Sequence, residues 1–270
     1  MTAQDQPRAR WSWGVAIIVV PYLLGFWFTG YTAVQALTGR GSDLGLSGWT
    51  ALAVAWTCTA VAVAVALALG RKILGFSWSD LGIRGPHDRR VLRGLALSCV
   101  AYFLMWVAFF VFGSLPRLGE PALTSAARSH PALWVLVYSL LAGVGEEVLI
   151  VAVPVAVMTV LRWPWAVQIL VLVVLRTPFH LYYGYTAIVL AVIWSVLYWL
   201  LYSRYRWIWP LVAAHTLYDC VVSSSAFGAT GSLVLRLGAV VVLLVGAGLV
   251  VRQILRDRRG ALAPAAGVAR

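Results

Sequence analysis

Two adjacent glutamates, Glu146 and Glu147, stand in the apolar run LLAGVGEEVLIVAVPV, where the nearest arginines are Arg128 and Arg162. A carboxylate in hydrocarbon is costly, and two side by side also repel. Their partners must come from elsewhere in the chain. The other ionisable groups inside apolar segments are few: Arg176 and His180 in LRTPFH, and His215 with Asp219 in AAHTLYDC. His215 and Asp219 are four residues apart, so on a helix they share a face one turn apart. Arg176 and His180 have the same spacing, with Pro178 expected to distort that turn. Adjacent helical residues point about 100° apart, so one glutamate is expected to face a site and the other a structural partner. A carboxylate beside imidazoles can bind a divalent metal, or hold a water and take its proton. A neutral imidazole can ligate metal or donate to a developing oxyanion. These are the parts of a hydrolase.

The elements that must position these residues cross a bilayer. The chain of 270 residues is 62% hydrophobic and 11% charged, against roughly 25% charged in a soluble domain. It cannot cover itself with polar surface. We expect an all-α polytopic protein of about eight transmembrane helices: Trp13–Leu37, Trp49–Leu69, Val91–Phe112, Ala132–Leu161, Pro164–Tyr182, Tyr185–Tyr202, Trp207–Ser223 and Leu233–Val251. The site falls among the fourth, fifth and seventh. The first run has no small-residue cleavage site and is expected to be a retained span. The division is a tail at 1–12, one membrane domain at 13–251 with its core at about 132–224, and a tail at 252–270.

The net charge of +12 could suggest nucleic acid, but 16 of the 21 basic residues fall on the termini and the loops of one side. That pattern fixes orientation, predicts both termini in the cytoplasm of a cell membrane, and leaves no nucleic-acid partner. The segment Lys72–Arg90 interleaves apolar residues with charge and is expected to lie in the cytoplasmic interface; Pro116–His130 is expected to be a short outer surface helix. Cys58, Cys99 and Cys220 sit in different spans without CxxC spacing and read as buried hydrophobes. The aromatic run LYYGYTAIVLAVIWSVLYW reads as lipid-facing packing.

The segments GEEVLI, RTPFHLYYG and HTLYD resemble, in order, the three motifs of the CPBP family of intramembrane glutamate proteases: EExxxR, FxxxH, and HxxxN or HxxxD. The family includes the CAAX prenyl endopeptidases and bacterial proteins linked to bacteriocin processing and self-immunity. FSWSDLGIRG is similar to the DLGLR-type segment before the core. The resemblance implies that Glu146 and His180 activate a water or sit at a metal, and that His215 and Asp219 stabilise the oxyanion. Glu147 matches the second glutamate. A divalent metal such as zinc would take Glu146, His180 and His215; water activation without metal stays open. The substrate implied is a membrane-associated peptide or protein.

Two positions depart from the motifs. Val151 stands where EExxxR has arginine, and Arg176 where FxxxH has phenylalanine. Arg176 is therefore the candidate replacement cation, pairing with Glu147; the alternative is that it snorkels to the interface. Depth raises a second question. Counted from Pro164, His180 lies about 24 Å up its helix, whereas His215 lies about 12 Å above Trp207. The two meet only if the fifth span starts outside the bilayer, tilts, or breaks at Pro178. Beside the endopeptidase stand two other readings: a non-catalytic scaffold or immunity factor, and an ion-coupled transporter.

Overall fold

A computed structural model of the chain describes residues 5–37, 48–83, 90–113, 131–181 and 186–262. Among them there is no strand. The helices are α1 (Asp5–Leu37), α2 (Gly48–Leu69, running into a π turn at Gly70–Leu74), α3 (Arg90–Gly113), α4 (Ala132–Glu146), α5 (Val153–Val160), α6 (Trp165–His180), α7 (Thr186–Tyr205), α8 (Trp209–Val222) and α9 (Gly228–Leu262). A second π turn, Glu147–Ala152, joins α4 and α5 into one rod. Eight rods thus correspond in order to the eight expected spans.

Among the described residues, five stretches are long and apolar enough to cross a membrane by length and composition: Trp11–Gln35, Gly48–Leu74, Ala132–Val160, Thr186–Tyr205 and Ser224–Leu249. α6 and α8, with 16 and 14 residues, rise only about 24 and 21 Å, short of a hydrocarbon core of about 30 Å. Each buries one face in the protein, with Leu172, Arg176 and Phe179 of α6 and Leu211 and His215 of α8 buried, and exposes the other, at Leu170, Val174 and Val222. The α4–α5 rod is the axis of the bundle. Every residue from Val148 to Met158 is buried, as expected of a helix that is hydrophobic all round. α9 lies at the rim, with Leu233, Val234, Leu237 and Leu244 exposed. These apolar helices give the chain a membrane location.

Ring and glycine contacts fix the relative heights. Trp11 stacks on Trp163 at 5.2 Å and Phe26 on Phe179 at 4.7 Å, so α1 and α6 run the same way. α1 runs against the α4–α5 rod: Gly14 faces Val157 and Leu161, and Gly25 faces Leu149. α2 runs with α4, since Trp134 Nε1 donates to Gly48 O at 3.2 Å while Gly145 meets Thr59.

The segment expected in the headgroup region is folded up beneath the bundle in its described part. Phe76 and Leu81 are buried, because the space between the ends of α2, α7 and α8 offers their side chains a drier surface than the interface. Gly82, at φ +66°, lets the chain pass against α8: Ile208 N donates to Gly82 O at 3.0 Å, and a Cβ there would lie 3.1 Å from the Arg206 backbone. Tyr202 OH and Trp209 Nε1 donate to the Asp80 and Ile83 carbonyls. Ser77 and Asp80 cap one another, with Ser77 N and Oγ donating to Asp80 Oδ2 at 2.7 and 2.6 Å and Asp80 N donating to Ser77 Oγ at 3.1 Å. The hydroxyl and then the amide of Ser77 hold the Asp80 carboxyl below its usual range. Residues 84–89, the expected outer helix at 116–130 and the end of the C-terminal tail lie outside the described residues.

Candidate active site

Glu146 ends α4 and Glu147 opens the π turn, whose defining bond runs from Val153 N–H to Val148 O. Such turns recur at functional positions. The two glutamates have different surroundings. Glu147 is fully buried. Its Oε1 accepts from Tyr102 OH at 3.0 Å and from His215 Nδ1 at 2.8 Å, with Arg176 Nη2 at 3.5 Å. Among the described residues, Glu146 Oε2 has only the longer approaches of Arg176 Nη1 at 3.8 Å and His215 Nε2 at 4.0 Å, and no hydrogen bond. Its side chain is 12% exposed and lines a cavity of about 170 Å³.

Arg176 is the buried cation at the centre. Its guanidinium carbon lies 4.2 Å from the ring centre of Trp194 and 5.4 Å from that of Tyr198, and such faces favour a desolvated cation. Charge balance explains the rest: two adjacent carboxylates would be untenable in this interior without it.

His215, on α8, is held by both faces of its chemistry. A carboxylate oxygen accepts, so Nδ1 carries the proton toward Glu147, which leaves Nε2 turned toward Glu146 and Asp219. Asp219 Oδ2 lies 3.7 Å from Nε2, and its side chain is 22% exposed. The close approach of α8 to α4 depends on Gly143, where a Cβ would meet Thr216 Oγ1 and lie 2.9 Å from Val212 O. His180, at the end of α6, donates from Nδ1 to Arg176 O at 2.9 Å. Pro178 lies within α6 without breaking it. The two imidazoles do reach a common neighbour: Trp194 is 5.4 Å from His180 and 5.2 Å from His215, ring centre to ring centre. Between Trp165–Trp199 at one end and His180–Trp194 at the other, α6 spans fifteen residues against five of α7. α6 therefore crosses α7 obliquely, while it runs level with α1, sixteen residues against fifteen between the Trp11–Trp163 and Phe26–Phe179 pairs. α8 starts deep in the bundle, with Val212 and Thr216 already facing Gly143 of α4, and that is how the two histidines meet.

Arg176 thus approaches both glutamates, nearest to Glu147, in the place the sequence left for a replacement cation. No group of three or more His, Cys, Asp or Glu side chains among the described residues is placed to hold a metal ion. A guanidinium between the two carboxylates would also repel a divalent cation. Glu146, His180 and His215 do not fit such a group here.

Three contributors were not among the expected residues. Tyr102, 1% exposed, binds Glu147 and packs against His215 at 5.1 Å; a lone tyrosine in an apolar span carries no signal of its own. Trp194 and Tyr198 carry one, since with the buried Tyr202 they repeat every four residues and mark one helix face. The expectation of a lipid-facing aromatic run is corrected for that face. Ile188, Val192 and Leu200 on the same helix are exposed.

Residues 128–221 match the model of the Rce1-like family, described as type II CAAX prenyl endopeptidase Rce1-like. The matched segment includes Glu146, Glu147, Arg176, His180, His215 and Asp219, and it bears out the resemblance read from the three motifs. At the level of the family it supports a CAAX-type intramembrane protease. No curated protein matches the chain, and no solved structure does.

Proposed function

We propose that the protein is an intramembrane endopeptidase of the cell membrane, with both termini cytoplasmic, that hydrolyses a peptide bond in a membrane-associated protein. Glu146 is the general base. It takes a proton from a water, whose oxygen bonds to the carbonyl carbon of the substrate. The carbonyl oxygen becomes an oxyanion near His215 and Asp219, where Nε2 of a protonated His215 donates to it. Collapse breaks the C–N bond as Glu146 returns its proton to the leaving amine, giving a carboxylic acid and an amine. His180 steadies the water. Glu147, held by Tyr102, His215 and Arg176, orients His215 and neutralises Arg176 without touching substrate. No step is routed through a metal.

The observation that carries this reading is the asymmetry of the pair: the fully buried Glu147 accepts two hydrogen bonds and an ion pair at Oε1, while Glu146 has only the longer ion-pair approaches at Oε2 and its partly exposed side chain lines the cavity. The test is digestion of a peptide library by the purified protein in lipid, read by mass spectrometry. Wild type is expected to cleave, and Glu146→Gln and His180→Ala to lose about two or more orders of magnitude in rate. Absence of cleavage by wild type, together with ion uptake that those substitutions abolish, would favour a transporter instead.

A further inference from the structure

The cavity beside Glu146 has a direction. It is lined on α4 from Glu146 through Ala142 and Tyr138 to Trp134, and on α2 from Thr59 to Ala51. Twelve residues of α4 separate Glu146 from Trp134, about 18 Å at the helical rise. Trp134 is two residues inside the start of α4, and Ala51 three inside that of α2. The path therefore runs from the site to the end of the bundle where α1 stops and α2 and α4 begin.

The other end is closed. Below Glu147 the rod is buried through Met158, and beneath it the segment with Phe76 and Leu81 fills the space between α2, α7 and α8. That end carries Arg71, Lys72, Arg162, Arg204 and Arg206, and basic residues of this density mark the cytoplasmic face.

Width limits what can enter. A helical segment 18 Å long and 10 Å across would fill on the order of 1,400 Å³. The empty space in and before the cavity is about 750 Å³, half of that. An extended chain covers the same distance in about five or six residues and threads a narrow path. The lining is apolar and aromatic, with Phe26, Leu52, Leu141 and Phe179 along it, and its one carboxylate, Glu146, lies at the deep end.

We infer that this cavity is the substrate path, and that it admits an extended apolar segment of a membrane-anchored protein from the non-cytoplasmic face. The identity of the occupant rests on the hydrolytic reading of Glu146; the direction of entry does not. The experiment replaces Cys58, Cys99 and Cys220 by alanine and introduces Ala142→Cys or Ala51→Cys on the path, with Ala55→Cys held in reserve should either fail to accumulate. Ser79→Cys, on the exposed segment at the basic end, is the control. A small charged methanethiosulfonate that cannot cross membranes is added to intact cells and to inverted vesicles.

Ala142→Cys and Ala51→Cys are expected to react in intact cells and to lose that reaction in inverted vesicles, and Ser79→Cys to do the reverse. Reaction of Ala142→Cys only in inverted vesicles would overturn the inference. So would reaction from neither side while Ser79→Cys reacts normally. Outside labelling with no peptide cleaved by wild type would remove the protease reading and leave the path standing. Cleavage with inside labelling would remove the path alone.

Discussion

At the scale of residues, the two glutamates show how one dipeptide serves two purposes. Glu147 accepts two hydrogen bonds and an ion pair and is fully buried. Removing its partners leaves an uncompensated charge. Arg176→Met is expected to destabilise the protein by about 3–5 kcal/mol, the cost of breaking a buried pair, and Arg176→Lys to restore little, because a point charge cannot reach both carboxylates as the guanidinium fork does. Thermal unfolding in detergent checks both. Tyr102→Phe deletes one donor to a buried carboxylate and is expected to cost about 1–3 kcal/mol and to lower kcat more than it raises KM, since the group touches no substrate. Arg176 and the glutamates were legible in the sequence because charge in an apolar run demands a partner. Tyr102 was not, because a tyrosine in a span becomes informative only once its hydroxyl has a neighbour.

At the scale of elements, the site is a meeting of α3, the α4–α5 rod, α6, α7 and α8, and two local devices allow it. One is the π turn at Glu147–Ala152. The other is Gly143, which lets α8 approach α4 until His215 reaches Glu147. Gly143→Val places methyl groups against the Val212 carbonyl, which cannot move away without shifting the helix. Overpacking of this kind costs about 1–3 kcal/mol. Most of the activity is expected to be lost with it, as His215 is drawn off Glu147; cleavage rate and melting temperature measured on the same preparation check this. The span pattern was legible because apolar runs of bilayer length have few other uses. The deep start of α8 was not, since a span's register says where a residue lies along its own helix and nothing of the depth at which that helix begins. The Trp194–Tyr198–Tyr202 stripe lay in plain view, but periodicity alone does not tell an inward aromatic face from a lipid-facing one.

At the scale of the whole molecule, the eight rods enclose a short, polar site closed on the basic side by the segment around Ser77–Ile83. That closure carries a pH dependence. The Asp80 carboxyl is held below its usual range by Ser77, so its contribution is present above the unfolded carboxylate value of about 4 and is lost as pH falls through its lower folded value. Amide exchange of residues 77–83 is expected to quicken on acidification past that point, and Ser77→Ala to flatten the dependence. The central claim is the division of labour between the two glutamates, and it is tested most directly by measuring peptide cleavage and thermal unfolding on wild type, Glu146→Gln and Glu147→Gln. Glu146→Gln is expected to melt with wild type and to cleave at least about a hundredfold more slowly, while Glu147→Gln melts at lower temperature. Cleavage at the wild-type rate by Glu146→Gln, or no cleavage by wild type, would contradict it.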